Sequence, residues 1–224
     1  MTQTLHAARL DFLTIRQYLS LRNFAVFTCI AFALCYMNGN SSFAIGILMM
    51  YGLFYAAYPF AMGEKTKTDL LYLSLPLQKR NLVFGRYLFA LLINLGSGVI
   101  ALVFTRIASL LLNQEFILGE TLATIGGCFF LFTLMECIQL PFYFKLGYTK
   151  AKLVVFLPIL IIPALVIFMF RVAQESGALS SLGDLSNQVA QNPLPLVFLA
   201  LLFWLLAIGI SILASVQNYT RREF

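Results

Sequence analysis

The chain predicts an all-α integral membrane protein with six transmembrane helices and both termini in the cytosol. Three observations carry this fold class. Of the 224 residues, 61% are hydrophobic and only 11% are charged, and the mean hydropathy is +0.89. The apolar residues gather into long runs, and about 20 such residues cross the hydrocarbon layer as a helix. A helix satisfies its own backbone polar groups, so runs of this length predict helices rather than strands. The cations also sort, because thirteen of the fifteen Lys and Arg fall on segments that alternate spans put on one side.

Taken in order, residues 1–23 predict an amphipathic interface helix. Leu5, Ala8, Phe12, Ile15 and Leu19 recur at i, i+3, i+7, i+10 and i+14, with Arg9 and Arg16 off that face. Such a helix lies along the inner membrane surface. The pattern favours a plain anchor over a surface that touches a cytosolic partner. The transmembrane domain covers 24–216. Its first span, Phe24–Met37, is short and borrows Tyr18–Asn23, with Arg22 snorkelling to the interface. The second is Phe43–Met62, the third runs from Leu82 to about Leu112, and the fourth is Thr121–Phe144. The fifth, Leu153–Phe170, holds Pro158 and Pro163, which kink it. The polar stretch Gln174–Asn192 reads as a loose outer loop or short outer helices. The sixth span is Leu194–Val216, and 217–224 form a cytosolic tail.

Charge sets the orientation. Arg9, Arg16 and Arg22 precede the first span; Lys65, Lys67, Lys79, Arg80 and Arg86 follow the second. Lys145, Lys150 and Lys152 follow the fourth, and Arg221 and Arg222 end the chain. Only Arg106 and Arg171 fall on the other side. The excess of cations marks the cytosolic face. The net charge of +6 then reflects contact with anionic lipid. No basic stripe interleaved with aromatics lies on a soluble segment, so no nucleic-acid partner is expected.

Several enzyme classes lack their residues. The one histidine is His6, outside the spans, and no H-E-x-x-H or clustered set of metal ligands occurs. No G-x-x-x-x-G-K-[ST] loop occurs either; Gly63-Glu64-Lys65-Thr66 lacks its glycine spacing. The four cysteines all lie in apolar runs and read as small hydrophobes.

The most informative segment is the cytosolic stretch 64–81. Thr66-Lys67-Thr68-Asp69 fits a capping box before the apolar island Leu70–Leu75, and Asp69 complements the helix dipole. Leu70, Leu73 and Leu77 share a face, and Pro76 ends the helix after about two turns. Two readings stand level on pattern alone: a solvated loop with a membrane-dipping face, or a short helix that inserts into a partner.

Inside the membrane, ionisable and amide groups are costly. Glu136 lies in the fourth span about 12 Å above its inner end, with Gln139 one turn below and Asn94 at similar depth on the third span. Their contact would line a pathway at a dimer seam or fix helix packing. Arg106 is expected to pair with Glu115 or Glu120 at the outer surface. Ala207, Ser211 and Ser215 form a small-residue stripe on the sixth span, and Gly96-Ser97-Gly98 a local one on the third, both suited to close helix approach.

Glu64-Lys65-Thr66-Lys67-Thr68-Asp69, then Leu73-Ser74-Leu75-Pro76, then Lys79-Arg80 and Arg86-Tyr87 resembles the signature of small ABC-2-type transporter permeases. The group includes the membrane subunit of the phenol-soluble-modulin peptide exporter and its Gram-positive relatives. Leu77-Gln78 departs from the pattern, where relatives often carry a small residue and then Ser or Arg. The resemblance implies a permease in a bacterial plasma membrane that moves amphipathic peptides or other hydrophobic compounds outward by alternating access. It implies a second permease copy and ATP-binding subunits that hold ATP and Mg, none of it in this chain. On that basis Glu64, Lys65, Lys67, Asp69, Leu70, Leu73, Ser74 and Pro76 form a coupling helix; for Asn94, Glu136 and Gln139 the pathway and the packing readings both stand. The alternative is an ion-gradient transporter using Glu136 as a proton site, although no inverted repeat accompanies that lone carboxylate.

Overall fold

The apolar runs fold as helices that continue past the predicted spans into polar sequence. A computed structural model describes residues 2–16, 21–38, 42–66, 79–155, 157, 161, 168, 172 and 194–221. The helices are α1 (Thr2–Arg16), α2 (Leu21–Asn38), α3 (Ser42–Thr66), α4 (Lys79–Leu112), α5 (Leu118–Leu146), α6 (148–155) and α7 (Leu194–Arg221). Among the described residues, α3, α4, α5 and α7 are long and apolar enough to cross a membrane, and the apolar part of α2, Phe24–Met37, is shorter. The predicted fifth span begins within α6 at Leu153, and most of the rest of it, Pro158 and Pro163 included, lies outside the described residues. So does all of Gln174–Asn192.

α4 is the central pillar. It packs against α1, α2, α3, α5 and α7, while α3 also meets α1, α2 and α5, and α5 meets α7. Small residues permit the close approaches. A Cβ built on Gly52 of α3 would stand 2.8 Å from Ser97 Oγ of α4, and one on Gly98 of α4 would stand 3.2 Å from Ile125 of α5. Toward the far end, Ala31 and Cys35 of α2 lock onto Ala44, Ile45, Leu48 and Met49 of α3 and Ala101 and Ala108 of α4. The remaining face of α2 and most of α7 present Val, Ile, Leu and Phe outward, as lipid-facing helices do.

α1 docks on α4 and α3. Ala8 is buried as expected, whereas Phe12 is about half exposed at 49%. The second buried position is Asp11, at 1%. Its partner is Arg86 of α4, Nε to Oδ2 4.0 Å, so an ion pair and not a purely apolar stripe turns the helix. At the other end of α4, Arg106 also departs from expectation. Its guanidinium lies 5.0 Å from the Phe116 ring centroid, and no ion pair to Glu115 or Glu120 forms. Asn113 there takes a left-handed φ of 52° as α4 ends.

Candidate functional site

Two arrangements concentrate polar chemistry. One is a cluster deep within the bundle. The other is the basic end, where α3, α4, α5, α6 and α7 bring Lys65, Arg80, Lys145, Lys150, Lys152 and Arg221 together, all exposed.

The deep cluster begins with a proline. Pro141 inside α5 has no N–H to give the carbonyl four residues back, which is that of Cys137. Ser211 of α7 supplies the missing donor, with its Oγ 2.5 Å from Cys137 O. Ser211 has then used its proton, so in its 2.5 Å contact with Tyr87 OH the tyrosine donates. Tyr87 in turn accepts from Ser215 Oγ at 2.8 Å. The result is one directed chain, Ser215 to Tyr87 to Ser211 to Cys137 O, tying α4, α5 and α7. The small-residue stripe of α7 therefore meets α4 and α5 of its own chain, with Ser211 at 5% and Ser215 at 0% exposure.

Glu136, one residue before Cys137, turns into the same interior. A cavity of about 10 Å³ is lined by Tyr87, Thr133, Glu136 and Cys137. The Glu136 carboxyl approaches the Asn94 carboxamide of α4. Yet Asn94 Nδ2 and Oδ1 and Glu136 Oε1 have no partner in good hydrogen-bond geometry. Ser97 Oγ donates to Asn94 O at 2.8 Å, and Gly52 closes the cluster from α3, its Cβ position 3.4 Å from Asn94 Oδ1. Asn94, Glu136 and Gln139 are all buried within one chain. Beside them, an apolar groove of about 710 Å³ runs between α5 and α7, lined by Met135, Pro141, Phe203 and Ile210 among others.

At the basic end, aromatic rings tie the helices. Phe60 of α3 packs on Tyr143 and Phe144 of α5, at ring-centroid separations of 5.2 and 4.9 Å. Tyr219 of α7 meets Phe144 edge-on, and Tyr148 of α6 stacks on Tyr143. The Arg86 guanidinium lies 4.2 Å from the Phe60 centroid, a cation held against an aromatic face. Asn218 Nδ2 donates to Pro141 O at 3.3 Å, so α7 stays helical beyond Val216, through Arg221.

Of the residues assigned to coupling, Glu64 and Lys65 lie on the last turns of α3. Lys67, Asp69, Leu70, Leu73, Ser74 and Pro76 lie outside the described residues. Glu64 Oε2 accepts two bonds, from Thr149 N–H at 2.9 Å and from Thr149 Oγ1 at 2.6 Å. Sequence reasoning missed Thr149 and Asp11. Gly147 was the available signal for the first, since a glycine after an apolar run marks a helix end and a new N-terminus after it. For Asp11 no local signal existed, because its partner lies on a helix beyond two spans.

A family model described as "ABC-2 family transporter protein" matches residues 9–220, nearly the whole chain. Among curated proteins and among solved structures nothing matches.

Proposed function

Because this chain belongs to the ABC-2 family of transporter proteins, we infer that it is the membrane subunit of an ATP-driven exporter. It works as two copies, each with an ATP-binding subunit that carries ATP and Mg. It resides in a bacterial plasma membrane with both termini in the cytosol. Family membership over 9–220 is the observation that carries this reading. The ion-gradient alternative has no comparable support.

The reading has three further parts. The basic end faces the cytosol under the positive-inside rule. The segment after α3, with Lys67, Asp69, Leu70, Leu73, Ser74 and Pro76, then meets the ATP-binding subunit as a coupling helix, joined by Glu64 and Lys65. Thirdly, the apolar groove between α5 and α7 suits amphipathic peptides or other hydrophobic cargo, the class implied by the resemblance to the phenol-soluble-modulin exporter group. Asn94, Glu136 and Gln139 reach the pathway when α4 and α5 part during alternating access at the seam between copies.

The test is purification in mild detergent, followed by identification of what accompanies the chain. A stoichiometric ATP-binding subunit is expected. A chain that purifies without one, and whose transport in sealed vesicles runs on a proton gradient in the absence of ATP, would contradict the reading.

A further inference from the structure

The contact between Glu64 and Thr149 joins helices 85 residues apart in the chain. Its local cause is a connector of one residue. α5 ends at Leu146 and α6 begins at 148, so Gly147 alone turns the chain. Its φ of 77° and ψ of 172° belong to a region that is essentially glycine-only. Gly147 N–H closes α5 on Tyr143 O at 3.0 Å, and Gly147 O opens α6 by accepting from Ala151 N–H at 3.1 Å. One residue therefore ends one helix and caps the next.

That arrangement leaves α6 without a side chain to cap it. The first N–H groups of a helix have no partner within it and usually take one from a Ser, Thr, Asp or Asn at the cap position. Gly147 has none to offer. The Glu64 carboxylate takes the place from another helix, accepting the N–H of Thr149 and its hydroxyl together. A carboxylate at a helix N-terminus also complements the dipole, and bonds to a charged acceptor are stronger than neutral ones.

We propose that Glu64 is a mechanical joint, a cap supplied by α3, which holds the start of α6 to the end of α3 so that the two move together. The joint rests on the permease reading, because only there does the end of α3 receive a nucleotide-driven displacement. Phe60, Tyr143, Phe144 and Tyr219 pack the ends of α3, α5 and α7 into one aromatic block. Tyr148, Ala151 and Val155 seat one face of α6 on that block as well, so Glu64 adds a directed polar tie to an apolar contact.

Spin labels on Lys65→Cys and Lys152→Cys, both at exposed positions, test this in a Cys29→Ser, Cys128→Ser background. In the isolated protein in nanodiscs, a narrow distance distribution is expected with Glu64 intact and a broadened one with Glu64→Ala. Glu64→Gln, which keeps an acceptor oxygen, retains a narrow distribution. In the assembled complex, a third position, Arg80→Cys on α4, gives the frame. Trapping with ATP and vanadate should move positions 65 and 152 together relative to 80. With Glu64→Ala, 65 moves and 152 stays. An unchanged distribution in Glu64→Ala overturns the proposal, as does a 152 label that tracks 65 without Glu64. If no ATP-binding subunit assembles on the wild-type chain, the permease reading fails instead, and the nanodisc distances still decide whether Glu64 holds α6.

Discussion

At the scale of single residues, the structure shows polar groups used in opposite ways. Ser211 repairs a defect, because Pro141 leaves the Cys137 carbonyl without its helical donor and the serine hydroxyl supplies one. Ser211→Ala removes that donor and breaks the chain from Ser215 through Tyr87. Leaving a buried acceptor unsatisfied costs about 1–3 kcal/mol, so a lower unfolding temperature in nanodiscs is expected, and an unchanged one would contradict the assignment. Asn94 and Glu136 differ, since they sit buried with atoms lacking good partners. Buried polar groups without partners weaken a fold, and removing both together is often neutral or stabilising. The double replacement Asn94→Leu, Glu136→Met should therefore raise the unfolding temperature while lowering the ATPase activity of the assembled complex. Loss of stability without loss of activity would mark the pair as packing alone.

At the scale of elements, close approach and charge decide how helices dock. Gly52 brings α3 against Ser97, and a larger side chain meets Ser97 Cβ at 3.0 Å as well as its Oγ. Overpacking a tight interface costs about 1–3 kcal/mol, so Gly52→Leu should destabilise α3 against α4, read as faster hydrogen exchange in both helices. Gly96→Ala on α4, with nothing within 4 Å of its Cβ position, serves as the control. α1 is held by charge. Breaking a buried ion pair from one side costs about 3–5 kcal/mol. Asp11→Ala should accordingly release α1, with exchange rising across Thr2–Arg16 while α5 and α7 keep their protection. Uniform loss of protection would mean that Asp11 supports the whole bundle.

The same elements show what the sequence could and could not reveal. The helices α2, α3, α4, α5 and α7 were legible because lipid demands long apolar runs, and that demand is local in sequence. Their ends were less so. α7 runs on to Arg221 because Tyr219 and Asn218 find Phe144 and Pro141 on α5, contacts that no run of residues announces. Periodicity on α1 did not point to Asp11, because it assumes that burial is apolar, whereas Asp11 is buried beside Arg86. Likewise the stripe at Ala207, Ser211 and Ser215 predicted close packing without naming α4 and α5 as its partners. Glu64 was read as a coupling residue, yet its bond to Thr149 depends on a turn at Gly147 that only the fold supplies.

At the scale of the whole molecule, the described residues combine a basic end, a buried polar centre and an α7 with an outward apolar face. The chain has no phosphate-binding loop of its own. Its family is one of transporter membrane proteins, and the drive for movement is accordingly expected from outside the chain. Native mass spectrometry of the complex, extracted gently from the membrane, tests this most directly. The predicted mass is that of two copies of the 25.1 kDa chain with two nucleotide-binding subunits. A species containing this chain alone, still able to transport without ATP, would contradict it.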